Sequence, residues 1–136
     1  FNESSPASMN DKAEIRKLEP YCHGQFTEST ESPFEGRAHV HWLTGTASTV
    51  MVGCVEGILG LRPDFGGLKI SPSISSDWKS FTMEKDFRGK KLHIEVQNPD
   101  GKESGVKSIV LNGTTIEGDY IAADLLQDEN RIVVQM

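Results

Sequence analysis

Two threonines, a serine, an indole and a glycine stand close together in Trp42-Leu43-Thr44-Gly45-Thr46-Ala47-Ser48. Thr44 is a good N-cap for the apolar run that follows it, and Gly45 leaves backbone amides uncovered. The first turn of a helix presents unpaired N–H groups and the positive end of its dipole, which together attract an anion. Thr44, Thr46 and Ser48 could add hydroxyl donors. Simple helix capping accounts for the same residues. No lysine follows the glycine, so the segment is not a P-loop. His39 and His41 are spaced so that a strand would place both on one face. A zinc site would want a third ligand, and the adjacent pair Cys22-His23 chelates poorly, so no metal is expected and packing or sugar contact is the fuller use. Glu19, Glu28, Glu31, Glu35 and Asp64 could supply paired carboxylates for glycoside chemistry, but spacing selects no pair and solvation is their ordinary state. Trp78, Phe81 and Phe87 could form a platform for stacking sugars, or fill a core.

The elements that must hold these residues change character near Arg62-Pro63. Before it the patterns are helical, and after it they have the period of strands. Asn10 or Asp11 can cap a short helix from Asp11 to about Leu18, which Pro20 stops. Residues 20–41 form an irregular stretch whose aromatics, Tyr21, Phe26 and Phe34 with Trp42 just beyond, argue against plain disorder. Thr44 to Leu61 is the strongest helical pattern. Its apolar residues lie on nearly every face, so it is expected to be buried all round. Gly53, Gly57 and Gly60 fall on one side and predict the close approach of a neighbouring helix, yet this chain offers no other helix suited to that role. From Leu68 onward apolar and polar residues alternate. Phe81–Phe87 and Leu92–Val96 read as a hairpin through Arg88-Gly89-Lys90, and Asn112-Gly113 is a strong hairpin signal after Val106–Leu111. Ile132 and Val134 mark a last strand. Several short strands with regular turns predict a small antiparallel β-sandwich or jelly-roll layer, hence an α+β chain with helices first and strands later.

The 136 residues suffice for one modest core. A net charge of −6 argues against a nucleic-acid partner. No apolar run is long enough to span a membrane. No basic segment followed by an apolar stretch opens the chain, so no signal peptide is expected. Cys22 and Cys54 are too few for a disulfide scaffold and read as free thiols in a reducing compartment, hence the cytoplasm. The chain opens on Phe1 and a polar run, FNESSPASMNDK, which is expected to be a loop at a boundary inside a longer protein.

Several blocks taken in order carry a resemblance. They are Glu19-Pro-Tyr-Cys-His-Gly-Gln25, Gly36-Arg-Ala-His-Val-His-Trp-Leu-Thr-Gly-Thr46, Gly57-Ile-Leu-Gly-Leu-Arg-Pro-Asp64, Gly67-Leu-Lys-Ile70 and Phe87-Arg-Gly89. Together they resemble glycoside hydrolase family 94, which holds the cellobiose, cellodextrin and N,N'-diacetylchitobiose phosphorylases and the cyclic β-1,2-glucan synthases. Cys22-His23 and Ala38-His39-Val40-His41 look like the branch acting on N,N'-diacetylchitobiose. The resemblance implies the C-terminal helices of an (α/α)6 barrel over residues 1–66 and a C-terminal antiparallel β-sandwich over 67–136. It implies inverting phosphorolysis of a disaccharide, with inorganic phosphate as co-substrate and no resident cofactor. Thr44 and Gly45 would bind phosphate, and Gln25 would contact the sugar that becomes the sugar 1-phosphate. The family's general acid lies upstream of Phe1, so no catalytic residue is expected in this chain, and the chain alone is expected to be inactive. The full enzyme would be a homodimer, and the missing N-terminal part would be this chain's partner. A cellobiose or cellodextrin phosphorylase, a cyclic glucan synthase terminus, and a non-catalytic sugar-binding β-sandwich module are the alternatives.

Overall fold

The computed structural model describes residues 13–19 and 22–136. The chain forms two compact units, residues 1–51 and 52–136. The opening polar run, Asp11 and Tyr21 lie outside the described residues.

The first unit is built from short pieces. Helix α1 (Ala13–Arg16) is shorter than the sequence predicts, because Lys17 turns left-handed at φ 56° and closes it. Strands β1 (Phe26–Thr27) and β2 (Ala38–His39) pair antiparallel, with Phe26 opposite His39 and Thr27 opposite Ala38. Leu18, Cys22 and Ala38 are buried. A Cβ on Gly24 would stand 3.1 Å from Ala38 Cβ, His39 O and Leu18 Cδ1, so only glycine fits comfortably against this cluster. Helix α2 (Thr46–Val52) follows, and the chain then winds into a π-helical segment, Gly53–Ile58.

Two expectations for this helix are corrected. It is α-helical for seven residues only, and neither it nor the π-helical segment contains a fully buried residue; Met51 is 65% and Val52 52% exposed. The apolar surface meets no covering helix among the described residues. The glycines also do not form one stripe. A Cβ on Gly57 would meet nothing within 4 Å. Gly60 stands beyond the helix at φ 73°, where a Cβ would fall 2.1 Å from the backbone of Ser71.

The second unit carries two sheets. Strands β3 (Leu61–Pro63), β4 (Gly67–Ile70) and β9 (Tyr120–Ala122) make one, in the order β3-β4-β9. The other holds β5 (Ser80–Phe87), β6 (Lys90–Gln97), β7 (Ser108–Leu111), β8 (Thr114–Ile116) and β10 (Glu129–Gln135), in the order β5-β6-β10-β7-β8. Both hairpin turns stand where the sequence puts them. Arg88 and Gly89 take φ 53° and 77°, and Asn112 and Gly113 take φ 50° and 88°. Two consecutive left-handed residues are what a type I′ turn requires, and its twist matches that of the strands.

Alternation then decides the faces. Leu92, Ile94 and Val96 of β6, Ile132 and Val134 of β10, and Ile109 and Leu111 of β7 are buried. They share one core with Leu61, Leu68, Ile70 and Ile121 of the smaller sheet. Phe87 belongs to this core, whereas Trp78 stays 45% exposed, edge-on to Phe81 at 5.8 Å. A wholly antiparallel layer is not what forms: β10 runs parallel to β6, with Glu129 beside Lys91 and Gln135 beside Gln97. Residues 98–128 are long enough to return the chain to the same end of the sheet, as a parallel pair needs.

The turn between β3 and β4 is braced at Asp64. Its Oδ1 accepts hydrogen bonds from the amides of Gly66 and Gly67 and from the Tyr120 hydroxyl, each at 2.8 Å. Arg88 donates to the carbonyls of Asp64 and Phe65. The Tyr120 hydroxyl is the largest cause holding the Asp64 carboxyl below its usual 3.8; desolvation opposes it, and the two amides and Arg88 add to it. The same bond pushes Tyr120 above its usual 10.0. The Asp64 contribution to stability is therefore full above 3.8 and is lost as pH falls through the lowered value. The Tyr120 contribution is full below 10.0 and is lost as pH rises through the raised one. Thermal melts of the chain and of Asp64→Asn should differ by a constant amount from about pH 5 to 9, and the gap should close at both extremes. A gap that does not vary with pH would remove this bond from the stability of the turn.

Candidate functional site

The residues singled out as a site fall in the first unit. Thr44 caps α2, its Oγ1 accepting from the Thr46 amide at 3.1 Å and standing 2.7 Å from Thr46 Oγ1. Capping is thus realised, as the plainer reading of the sequence has it. Thr46 Oγ1 can donate to Thr44 Oγ1, which frees the Thr44 hydroxyl proton for an acceptor outside the helix. Gly45 is exposed, and a Cβ there would find only Ser48 Oγ, at 4.0 Å, so a ligand can approach its backbone closely. The Gly45 carbonyl points into the helix, accepting from the Thr49 amide at 3.1 Å, from Ser48 Oγ at 2.8 Å and from Thr49 Oγ1 at 3.2 Å. The Thr46 amide and the Ser48 hydroxyl are thus spent within the helix, against the expectation that Ser48 adds a donor, and the Thr44 hydroxyl and Gly45 amide are the groups left to suit an anion.

Gln25 is exposed and immediately precedes β1. Its amide is shared between the carbonyls of His39 and Val40, at 2.9 and 3.1 Å. It is thereby fixed by backbone to β2, five residues before Thr44 at the end of that strand. The connecting residues are unusual. Val40 and Trp42 both hold positive φ, 54° and 62°, which a β-branched or bulky side chain rarely adopts. This backbone overturns the expectation that His39 and His41 share a face. β2 ends at His39, Val40 turns left-handed, and each imidazole takes its own carboxylate.

His39 Nε2 lies 2.5 Å from Glu28 Oε1, and His41 Nε2 lies 3.8 Å from Glu19 Oε2. Glu28 also accepts from Ser32 Oγ through its other oxygen. The Ser32 bond, ahead of the His39 bond, holds the Glu28 carboxyl below its usual value. Glu19 is lowered too, first by a backbone hydrogen bond and next by the Trp42 indole, whose Nε1 donates to Glu19 Oε1 at 3.4 Å. The Phe26 ring stacks on the His39 imidazole, with centroids 4.9 Å apart. These carboxylate–imidazole pairs were not selected by spacing; the pairing partners stand 11 and 22 residues apart in sequence. Among the described residues no group of three or more His, Cys, Asp or Glu is placed to hold a metal ion. No helix of the described residues is long and apolar enough to cross a membrane.

Comparison with known proteins agrees with the motifs. Residues 1–60 match the family model of the glycosyl hydrolase 94 superfamily, catalytic domain. The chain is 39% identical to an N,N'-diacetylchitobiose phosphorylase of Vibrio proteolyticus over 98% of its own length and 17% of that protein's. It is 37% identical to the enzyme of the same name from Vibrio furnissii, over 98% of this chain and 16% of that one. A 3-O-beta-D-glucopyranosyl-beta-D-glucuronide phosphorylase of Paenibacillus borealis is 30% identical over 82% of this chain and 14% of its own. The chain thus spans about a sixth of the length of the phosphorylases it matches. With the motif blocks in order and the likeness running along nearly the whole chain, this sequence belongs to the glycosyl hydrolase 94 superfamily.

Proposed function

We propose that this chain is the C-terminal part of an inverting glycoside phosphorylase. The parent enzyme converts N,N'-diacetylchitobiose and inorganic phosphate to N-acetylglucosamine 1-phosphate and N-acetylglucosamine. The observation that carries the reading is the likeness to two N,N'-diacetylchitobiose phosphorylases along 98% of the chain. Residues 1–66 belong in this reading to the end of an (α/α)6 barrel, and residues 67–136 to a terminal β layer. The match of a catalytic-domain model to residues 1–60 supports that division.

A phosphate oxygen attacks the anomeric carbon from the face opposite the leaving sugar. The glycosidic C–O bond breaks with its electron pair on oxygen, and a carboxylic acid protonates that oxygen. Phosphate is already a nucleophilic anion, so the base that an inverting hydrolase needs to activate water is not required. The chain's own contribution is binding. The Thr44 hydroxyl and the Gly45 amide hold phosphate at the head of α2, and the Gln25 carboxamide, able to donate and accept at once, takes sugar hydroxyls. The acid comes from the rest of the enzyme, so the 136-residue chain alone does not turn over. Phosphate is a co-substrate, no resident cofactor takes part, and the whole enzyme works as a homodimer. The free thiols Cys22 and Cys54 accord with a cytoplasmic setting.

Full-length enzyme incubated with phosphate and either N,N'-diacetylchitobiose or cellobiose is expected to release a sugar 1-phosphate from the first alone. Product from cellobiose alone would keep the reaction and overturn the substrate. Hydrolysis without phosphate consumption would overturn the reaction.

A further inference from the structure

Resting on the assignment of Gln25 to the sugar subsite, we propose that Glu28 and His39 are positioning residues that hold Gln25 in place. The three side chains belong to one short hairpin. Gln25 has no regular element of its own to fix it, since β1 begins one residue later and is two residues long. What fixes its backbone is the pair of carbonyls at His39 and Val40. Those carbonyls stay put only if His39 stays put.

Three contacts hold His39. Its Nε2 reaches Glu28 Oε1 at 2.5 Å, its ring lies on Phe26 at 18° between planes, and its backbone pairs with Phe26 across the strands. Glu28 is held in turn. Ser32 Oγ donates to its second oxygen, the Glu28 amide donates to the Arg37 carbonyl at 2.9 Å, and the Gly36 amide donates to the Glu28 carbonyl at 3.0 Å. The loop from Glu28 to Arg37 is thus closed at its base, and the carboxylate projects from the closure onto the imidazole. The left-handed Val40 is a second sign of enforcement. A strained conformer of this kind persists only where its surroundings over-determine it. A two-residue ladder is too little for that, and the Glu28–His39–Phe26 stack supplies the rest. Neither Glu28 nor His39 need touch the substrate; they act through Gln25.

The test is a double-mutant cycle in the full-length enzyme, reading kcat and KM separately for disaccharide and phosphate. Gln25→Ala should raise the disaccharide KM about 10-fold, the scale of one lost sugar hydrogen bond. Glu28→Ala should raise the same KM about 3- to 5-fold, with the phosphate KM within about twofold of wild type. If Glu28 acts through Gln25, the double variant should be no worse than Gln25→Ala alone. Glu28→Gln, which keeps an acceptor for the His39 N–H, should recover most of the loss. Hydrogen exchange at the Gln25 amide should speed up in Glu28→Ala and return towards wild type in Glu28→Gln.

Additive effects of the two substitutions would overturn the proposal, because Glu28 would then act independently of Gln25. So would a disaccharide KM unchanged by Glu28→Ala while Gln25→Ala raises it. A disaccharide KM unchanged by Gln25→Ala would instead sink the subsite assignment, and the positioning role with it.

Discussion

Full-length enzyme carrying Thr44→Val should need about 10- to 100-fold more phosphate to reach half-maximal rate, with the disaccharide KM little changed. Valine keeps the shape of threonine and deletes one hydroxyl. A hydrogen bond to a charged group contributes about 1.5–3 kcal/mol, which gives a loss of that size. The same change also removes the cap on the Thr46 amide, which costs about 1 kcal/mol of stability. Capping and phosphate binding therefore need separating, and Thr44→Asp separates them. Aspartate caps a helix at least as well as threonine, so the melting temperature should hold. Its negative charge opposes an anion at the same place, so phosphate affinity should fall further than in the valine variant. If Thr44→Asp keeps both stability and the wild-type phosphate KM, Thr44 is a cap and nothing more.

The largest effect on folding is expected from Gly60→Ala. Gly60 holds φ 73°, where a Cβ is disfavoured by roughly 1–2 kcal/mol before any contact is considered. The added Cβ would then lie 2.1 Å from both the carbonyl carbon and the oxygen of Ser71. These are backbone atoms, and Ser71 is tied back by its own amide, which donates to the Gly60 carbonyl at 2.9 Å. Nothing flexible can yield. Together the two effects should cost about 3–5 kcal/mol, the range of severe single substitutions. For a unit of this size that corresponds to a melting temperature lower by on the order of 15–30 °C. Gly57→Ala is the natural control, since a Cβ there meets nothing, and its melt should shift by only a few degrees. Equal shifts in the two variants would show that the approach at Ser71 relaxes cheaply.

The two turns were readable because their chemistry is local. Asn112, Gly113 and Gly89 are of the types that tolerate left-handed conformations, and the alternating residues on either side name the buried face without reference to anything distant. The start of α2 was readable for the same reason: Thr44 is a cap by residue type, and it caps. The parallel pairing of β6 with β10 was hidden because alternation records which face a residue takes and says nothing about strand direction. The glycine spacing misled at Gly60, where a period that fits a helical stripe conceals a backbone crossing outside the helix. In the candidate site, residue types pointed to Thr44 and Gly45 as a cap or anion site, whereas Gln25 was named by the family resemblance alone. The carboxylate–imidazole pairs could not be foreseen, since two left-handed residues, Val40 and Trp42, decide where His39 and His41 point. Neither is a type that advertises such a conformation.

The partnership of β6 with β10 also fixes an order of events in folding. The β5–β6 hairpin closes through two residues and needs nothing else, so it can form within microseconds. Its inner edge, β6, then waits for a strand 38 positions further along, Lys91 for Glu129. Pairing strands so far apart in sequence is slow compared with forming a local hairpin. Through that interval β6 presents open backbone groups along an edge whose alternate side chains are Leu92, Ile94 and Val96. An unpaired apolar edge is a template for strands of other molecules. The hazard of self-association for this protein therefore lies in refolding at high concentration, before β10 arrives, and dilution or slow release from denaturant is the condition that favours the native sheet.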